Sequence, residues 1–331
     1  MISLFLYAFI ISIIILILVI FLTHKHQFFI DKANTQKPQN FHTDSTPRAG
    51  GVGILAGMIL LFFFPFGLKF LFSIFLAFIS GIFEDFHDSL SPTVRLLLQL
   101  VAALSAVFLT DSVVTYLGFG VSLPYWMGIL FSIFAIVGMM NAINIIDGFN
   151  GLASGVILLI LLSFAIVSYQ QNDSNILSII TITIGTTLGF FILNFPKGKI
   201  FLGDGGAYLL GFIVAIIGIY LASNYEDISP WYIIAIFIYP VWEVVFSIIR
   251  KTSSGLSPMQ PDTYHLHMLI YRQITHNNPL TALFIIIAIL PIILLSTLFS
   301  NNSLYNISIA SAFIVAYLAL YLYLYQKDTK S

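Results

Sequence analysis

The segment Asn141-Ala-Ile-Asn-Ile-Ile-Asp-Gly-Phe-Asn-Gly-Leu-Ala-Ser-Gly155 joins two long apolar runs, 125–143 and 152–169. It carries one acid, Asp147, and three side-chain amides at positions 141, 144 and 150. One capping residue is enough to end a helix, so four polar side chains between two membrane-length runs indicate a binding site. The alternative is an ordinary helix end with an Asp-Gly turn and an asparagine cap.

The composition places these apolar runs in a membrane. Of the 331 residues, 59% are hydrophobic and 8% are charged, which leaves too few polar residues to cover a soluble protein of this size. Continuous apolar runs of about 20 residues cross a bilayer as helices, and a barrel would instead show alternation. The chain has no cysteine, which excludes disulfides and thiolate metal sites.

Eleven apolar runs predict an all-α, polytopic membrane helix bundle of about 11 transmembrane helices. The runs lie near residues 3–23, 50–65, 67–83, 94–110, 125–143, 152–169, 176–194, 207–223, 231–249, 280–299 and 304–325. Twelve of the thirteen lysines and arginines fall in one set of alternate loops, with Lys69 as the exception. The positive-inside rule therefore predicts an outer N-terminus and a cytoplasmic C-terminus.

The simplest organisation is a single domain, residues 1–331, with its functional residues on the cytoplasmic side. The acids, histidines, glycines and asparagines gather in the predicted inner loops, which are 24–49, 84–93, 144–151, 195–206 and 250–279. The net charge of −1 gives no indication of a nucleic-acid partner. A homodimer is compatible with this pattern.

Three of the inner loops carry groups suited to phosphate and a divalent cation. Arg48 precedes glycines that let a ligand approach the backbone, and an arginine can hold a phosphate by paired hydrogen bonds. Glu84, Asp85 and Asp88 repel one another unless a cation relieves them, and Asp204 stands between two glycines. Such oxygen ligands suit Mg²⁺ or Mn²⁺. Solvated helix caps are the alternative for each acid.

Glu243 and the last inner loop carry the other ionisable groups of interest. Glu243 lies within an apolar run, so it should face the bundle interior and have a partner, which the sequence does not name. His265 and His267 lack the companions of a zinc motif. Together with Arg272 they fit an anionic or hydrogen-bonding substrate, and a solvated loop is the alternative.

Carboxylates and cations on several cytoplasmic loops point to phosphoryl transfer at the membrane surface, with a lipid reactant. The alternative of a different class is a secondary transporter that uses Glu243 and the inner-loop acids as an ion path. A transporter should carry polar residues through the depth of several spans, whereas here charges lie at the ends of all runs except the ninth. A CDP-alcohol-type phosphotransferase would have its aspartates together on adjoining helices.

The ordered motifs of residues 31–272 resemble the polyprenyl-phosphate N-acetylhexosamine-1-phosphate transferase family. The motifs are Pro47-Arg48-Ala-Gly-Gly51, Glu84-Asp-Phe-His-Asp88, Asn141 to Leu152, Asn194 with Phe201-Leu-Gly-Asp204, and His265-Leu-His267. The resemblance implies that a sugar 1-phosphate is transferred from a UDP-sugar to undecaprenyl phosphate, with Mg²⁺ and release of UMP. It also implies a multi-pass protein of the bacterial inner membrane.

The resemblance implies a role for each matched residue. Asp204 would be the principal Mg²⁺ ligand, and Asp147 would be both a second ligand and a catalytic residue. Glu84 and Asp85 would assist the metal or deprotonate the lipid phosphate. The predicted substrate-binding residues are Arg48, Asp88, Asn144, Asn150, Asn194, His265 and His267. Direct attack by the lipid phosphate is preferred, and an aspartyl intermediate stays open.

Two departures from the family pattern stand in the acidic motifs. Glu84 replaces the first aspartate of the usual pair, and Asn150 replaces the second aspartate of the central motif. In addition, His-Leu-His-Met lacks the longer histidine run of the pentapeptide transferases. We therefore expect a simple UDP-N-acetylhexosamine donor and a role in starting O-antigen or another surface polysaccharide.

Overall fold

The computed structural model describes residues 1–26, 30–31, 46–87, 90–257 and 263–329, and these residues are almost wholly helical. The helices are α1 Ile2–His26, α2 Gly50–Met58, α3 Pro65–His87, α4 Pro92–Thr110, α5 Tyr125–Ile146, α6 Leu152–Gln170, α7 Ser174–Asn194, α8 Gly203–Asn224, α9 Pro230–Ile236, α10 Ile238–Ser253, α11 Leu266–Ile270, α12 Asn278–Leu298 and α13 Ser303–Asp328. Two short strands, β1 Ile30–Asp31 and β2 Thr46–Pro47, pair antiparallel.

The prediction of an all-α membrane bundle is confirmed. Within the described residues nine helices are long and apolar enough to cross a membrane, and the bent pair α9 and α10 would make ten. The remaining predicted run is α2 with its 3₁₀ continuation to Phe63, which is shorter than a full span. The exact number of spans and the side on which each terminus lies stay predictions.

Side-chain contacts show that the two described ends of the chain lie at opposite ends of the bundle. The sulfur of Met1 lies 3.7 Å from the hydroxyl of Thr181, near the start of α7. Asp328, at the end of α13, pairs with Arg272 beside α11. The predicted inner loops come together at one end of the bundle, as the contacts of Asp204 with Arg48, Arg95 and Asn144 show.

Helix α8 is the buried centre of this arrangement. Nearly every residue from Gly203 to Leu221 is buried, and α3 and α5 pack against it. The outer helices instead expose large apolar side chains, such as Leu97, Phe134 and Leu322. Such an exterior suits hydrocarbon rather than water.

Glycines allow α2, α3 and α8 to approach closely. A Cβ on Gly81 would lie 2.4 Å from backbone atoms of Asp204 and Gly205, and one on Gly51 would lie 2.5 Å from the backbone nitrogen of Gly206. Small residues at helix interfaces let the backbones pack directly. The start of α8 is therefore held against the ends of two other helices.

The ninth run, predicted as one helix over 231–249, is broken. Helices α9 and α10 meet at Phe237 with a bend of 76°. Pro240 gives the physical reason, because a proline has no N–H to donate to the carbonyl of Ile236 and its ring crowds that carbonyl. The hydrogen bonding resumes one residue later, where the Val241 N–H donates to the Phe237 carbonyl at 3.1 Å.

Candidate active site

The first inner loop is attached to the start of α8 by backbone hydrogen bonds. The N–H of Phe201 donates to the Pro47 carbonyl at 2.8 Å, and the N–H of Gly50 donates to the Phe201 carbonyl at 2.9 Å. Gly51 donates to the Leu202 carbonyl at 3.1 Å. This pairing holds Arg48 next to the first turn of α8, where Asp204 lies.

Asp204 is the point at which several loops converge. Its Oδ1 lies 3.1 Å from the amide nitrogen of Asn144 and 3.4 Å from Nη2 of Arg48. Its Oδ2 lies 3.2 Å from Nη1 of Arg95. The Asp204 side chain is 14% exposed, so it is accessible to a ligand from one side. One carboxylate therefore gathers two guanidinium groups and an amide.

Asp85 caps the N-terminus of α8. Its Oδ1 accepts the backbone N–H of Asp204 at 2.8 Å, and its Oδ2 accepts that of Gly205 at 2.9 Å. A carboxylate at a helix N-terminus satisfies free backbone donors and interacts favourably with the helix dipole. These contacts make Asp85 a positioning residue for Asp204, and its predicted catalytic role stays a prediction.

Arg95 links Glu84 to Asp204. Its Nη1 lies 3.4 Å from Oε1 of Glu84 and 3.2 Å from Oδ2 of Asp204. The other Glu84 oxygen, Oε2, is buried and has no hydrogen-bond partner among the described residues. The sequence gives Arg95 no role beyond its positive charge in an inner loop. Its place in the first turn of a helix, just after the acidic loop, was the available signal.

Asp147 directly follows the last residue of α5, and its carboxyl interacts electrostatically with the charged groups around Asp204. Burial raises the pKa of Asp147 well above its ordinary value, and the Asp204 and Asp85 carboxylates add to the rise. The Arg48 guanidinium acts in the opposite direction on that pKa. Arg48, Glu84, Asp85, Asn144, Asp147 and Asp204, all predicted site residues, therefore lie together at one end of the bundle.

The donor chemistry of this cluster fits Mg²⁺ or Mn²⁺ bound together with a phosphate. Within the described ranges no three His, Asp or Glu side chains are close enough to enclose an ion by themselves. Mg²⁺ is commonly held by one or two carboxylates while substrate phosphates and water complete the shell. Asp204 and Asp147 would supply that pair, and the unpartnered buried oxygen of Glu84 is a further donor nearby.

Asn150 and Asn194 connect loops rather than contact Asp204. The Asn194 Oδ1 accepts the Gly151 N–H at 2.6 Å, and its amide donates to the Ile200 carbonyl at 2.8 Å. Asn150 donates to the Pro196 carbonyl at 3.1 Å, and its backbone N–H donates to Asn278 at 2.7 Å. The described contacts are structural, and substrate binding by these two residues stays a prediction.

Asn141, the first amide of the central segment, is bonded to a glutamine of α4. Its amide nitrogen donates to Oε1 of Gln99 at 2.8 Å, and Gln99 is buried in α4. The pair joins α4 to α5 within the bundle. Sequence reasoning missed Gln99, and a lone amide in an apolar run was its only signal.

Glu243 has the two histidines as its partners. Its Oε2 lies 3.1 Å from Nδ1 of His265, and its Oε1 lies 3.7 Å from Nδ1 of His267. All three side chains are buried, and the two imidazole rings stack. Burial lowers the pKa of His267. The group lies beside the central loop, because a Cβ on Gly148 would be 3.7 Å from Nε2 of His267.

Arg272 does not join the histidines as expected. Its guanidinium forms two hydrogen bonds with the Asp328 carboxylate, at 3.0 and 2.9 Å, and a third with the Thr263 carbonyl. These contacts attach the end of α13 to the segment that carries α11. Asp88, another predicted binding residue, lies outside the residues that the structure describes.

Fold and site together define a polytopic membrane protein in which carboxylates and arginines from separate loops meet, as phosphoryl transfer requires. Comparison with known proteins shows which proteins the chain is similar to. The family model described as glycosyl transferase family 4 matches residues 67–222. This range includes Glu84, Asp85 and the residues of the central segment, and it also includes Asp204.

Two relatives illustrate the similarity. The chain is 28% identical over 278 residues to a probable undecaprenyl-phosphate N-acetylglucosaminyl 1-phosphate transferase of Bacillus subtilis, over 78% of this chain and 75% of that protein. It is 31% identical over 198 residues to the phospho-N-acetylmuramoyl-pentapeptide-transferase of Streptococcus agalactiae, over 56% of this chain and 58% of the relative. The second alignment thus spans little more than half of each protein.

These matches support the resemblance found in the sequence, because the chain is similar to proteins named as polyprenyl-phosphate sugar-1-phosphate transferases. The predicted enzyme class, a glycosyl-1-phosphate transferase, is the class that the names of both relatives describe. The helices and the bacterial relatives together support a multi-pass membrane protein.

Proposed function

We propose that this protein transfers an N-acetylhexosamine 1-phosphate from a UDP-sugar to undecaprenyl phosphate. An oxygen of the lipid phosphate attacks the phosphorus that bears the sugar, and the bond from that phosphorus to the bridging oxygen breaks. UMP leaves with that oxygen, and the sugar remains on the lipid through a diphosphate. The observation that carries the proposal is the convergence of Arg48, Arg95 and Asn144 on the Asp204 carboxylate.

The arginines would bind and orient the phosphates. Arg48 and Arg95 are each about one quarter exposed, so their guanidinium groups can turn to an incoming ligand. A guanidinium that moves from a carboxylate to a phosphate keeps its charge paired throughout.

Asp204 and Asp147 would hold Mg²⁺, with Mn²⁺ as a substitute. When bound, the ion would neutralise charge on the diphosphate of the donor. Asp85 would keep Asp204 in place through the first turn of α8, and Asn144 would fix the direction of its carboxylate. Direct attack agrees with this arrangement, because Asp204 is surrounded by cations and is therefore a weak nucleophile.

The donor that we propose is a UDP-N-acetylhexosamine. The short His265-Leu-His267 segment supports this choice, and the name of the Bacillus subtilis relative includes N-acetylglucosaminyl. We further propose that the product starts O-antigen or another cell-envelope polysaccharide. His267 lies beside the central loop, because a Cβ on Gly148 would be 3.7 Å from its Nε2.

The location that we propose is the bacterial inner membrane, with the site in the cytoplasm. The lysines and arginines of the chain concentrate at the end of the bundle that holds the site, which supports this orientation. Eleven crossings, with the N-terminus outside and the C-terminus inside, remain part of the proposal. The chain would act alone or as a homodimer.

The transporter alternative receives no support from the described contacts of Glu243. Its carboxylate is paired with two histidines next to the site, and the relatives are named as transferases. This pairing gives Glu243 a use within a transferase site.

The test is release of UMP by the purified full-length protein in detergent with undecaprenyl phosphate, Mg²⁺ and UDP-N-acetylglucosamine. We expect release that needs both lipid and metal. Asp204→Asn should lower it about 100-fold or more, because the charge that positions both arginines is lost. Asp227→Asn, on an exposed loop at the other end, is the matched control. Release without lipid phosphate, or no release with any UDP-sugar, would overturn the proposal.

A further inference from the structure

The Glu243 carboxylate lies close to the same ring nitrogen of both neighbouring histidines. The Nδ1 atoms of both His265 and His267 are directed at its carboxylate, at 3.1 and 3.7 Å. The two rings are stacked with an angle of 3° between their planes. The shorter contact is a hydrogen bond, and the longer one, to His267, is an electrostatic contact. A carboxylate accepts hydrogen bonds and attracts an N–H, so a proton on Nδ1 of each ring is favoured.

The second ring nitrogen of His267, Nε2, is not bonded to Glu243. This atom is buried and has no hydrogen-bond partner among the described residues, and the side chain is 0% exposed. Leaving a buried polar atom unpaired is unfavourable, so such an atom usually has a partner in the functional state. Nε2 faces the loop that follows Asp147, since a Cβ on Gly148 would lie 3.7 Å from it.

The surroundings of His267 favour an Nε2 that accepts a hydrogen bond rather than donates one. Burial lowers the pKa of His267, which favours the neutral ring at physiological pH. A neutral ring with its proton on Nδ1 has a lone pair on Nε2. The Tyr239 hydroxyl, 3.3 Å from Nδ1 of His267, can accept a hydrogen bond from a protonated Nδ1, which agrees with the same tautomer. The edge of Phe149 against the ring limits its rotation.

We propose that Glu243 is a positioning residue that presents Nε2 of His267 as a hydrogen-bond acceptor for an O–H or N–H group of the nucleotide sugar. This inference rests on the proposed function and deepens it. It assigns His267 to a hydroxyl or amide hydrogen of the donor, and not to a phosphate oxygen, which would need a protonated Nε2.

The direct test is ¹⁵N NMR of the full-length protein labelled on its histidines, in detergent near pH 7.5. The His267 signals are assigned by their loss in His267→Gln. We expect Nδ1 to be protonated and Nε2 unprotonated. Saturating UDP-N-acetylglucosamine with Mg²⁺ should move Nε2 upfield, as for a lone pair that accepts a hydrogen bond, without protonating it. A protonated Nε2, or no response to a ligand that demonstrably binds, would overturn the proposal.

The positioning role is tested in Glu243→Gln, whose amide can donate to Nδ1 and so release the proton to Nε2. We expect the His267 signals to change towards the other tautomer. We also expect the KM for UDP-N-acetylglucosamine to rise about tenfold, with a smaller change in kcat. Both readouts, the tautomer and the KM, should be intermediate between the wild type and Glu243→Gln in the Glu243→Asp protein. Glu226→Gln, at an exposed position, should leave both readouts unchanged. An unchanged tautomer in a folded Glu243→Gln protein would refute the role of Glu243.

Failure of this inference is distinguishable from failure of the proposed function. The tautomer is measured without turnover, so it can be read even in a protein that releases no UMP. If UMP release depends on lipid and metal while Nε2 is protonated, the transferase stands and the inference about His267 falls.

Discussion

Arg95 is the residue whose removal should reveal most about the charge balance at Asp204. It pairs with both Glu84 and Asp204, so its loss leaves two carboxylates with one fewer counter-charge. We expect Arg95→Ala to lower kcat/KM about 10-fold to 100-fold and Arg95→Lys to lower it less. The measurement is UMP release, with Lys69→Ala at the other end of the bundle as control. Equal activity of Arg95→Ala and the wild type would remove Arg95 from the site.

Asp147 predicts a pH dependence of activity that responds to Mg²⁺. Its pKa is raised by burial, so the protonated form persists to higher pH than for an ordinary aspartate, and ionisation grows as the pH rises. Since a bound cation and a proton compete for the carboxylate, more Mg²⁺ should shift the acidic limb of kcat/KM to lower pH.

The measurement is the pH profile of UMP release at two Mg²⁺ concentrations. Asp147→Asn cannot ionise, so any residual activity should lack the Mg²⁺-dependent shift. An acidic limb at the same pH for both Mg²⁺ concentrations would contradict the assignment of Asp147 to the metal.

At the residue scale the sequence predicted the acids better than their partners. Asp204, Asp85 and Asn144 stood out because polar residues at the ends of apolar runs need an explanation, and all three meet in the structure. Arg95 did not stand out, since a cation at a helix end is also what membrane topology requires. Its contact with Asp204 joins residues 109 positions apart, which local spacing cannot reveal.

At the element scale the junction of α3 and α8 is the most sensitive contact. A Cβ on Gly81 would meet backbone atoms of Asp204 and Gly205, which cannot move aside as a flexible side chain would. We expect Gly81→Ala to separate the two helices, destabilise the protein by about 1–3 kcal/mol and abolish most UMP release. The measurements are the melting temperature in detergent and the release assay.

Gly138→Ala is the matched control for this change. Gly138 also lies within a helix, α5, but a Cβ there would have nothing within 4 Å. Alanine favours a helix by about 1 kcal/mol over glycine, so this variant should be as stable as the wild type or more so. Similar losses in both variants would mean that the close approach at Gly81 is unimportant.

The helices themselves were predictable, and their interruptions were only partly so. Each of the eleven apolar runs coincides with helix because a backbone in hydrocarbon has to satisfy its own hydrogen bonds. The bend between α9 and α10 was missed, although Pro240 stood in the run, because prolines do not always break a membrane helix. Pro291 lies inside α12, which continues to Leu298.

At the scale of the whole molecule, the Arg272–Asp328 pair attaches the last helix to the segment with His265 and His267. It joins residues 56 positions apart through two hydrogen bonds of 3.0 and 2.9 Å. We expect Asp328→Asn to lower the melting temperature by an amount equivalent to about 1 kcal/mol, and high salt to reduce the difference. Asp227→Asn is the control. If Asp328→Asn lowers the melting temperature equally in the wild type and in an Arg272→Lys protein, the two residues are not coupled.

The assembly of five inner loops at one end of the bundle followed from the alternation of the runs and the distribution of charge. The alternation and the charge distribution did not predict which loops contact each other. The contacts of Phe201 with Pro47 and of Gly148 with His267 depend on how the helices pack around α8, and periodicity within one run contains no information on that packing.

The hydrogen bond from Gly151 to Asn194 also has a consequence for the chemical ageing of the protein. Asn150–Gly151 is a dipeptide in which the glycine nitrogen can attack the preceding side-chain amide, closing a succinimide ring and expelling ammonia. Here that nitrogen is held by Asn194 at 2.6 Å, while the Asn150 amide is directed to Pro196. The folded loop therefore protects its own asparagine from deamidation, and unfolding would remove that protection.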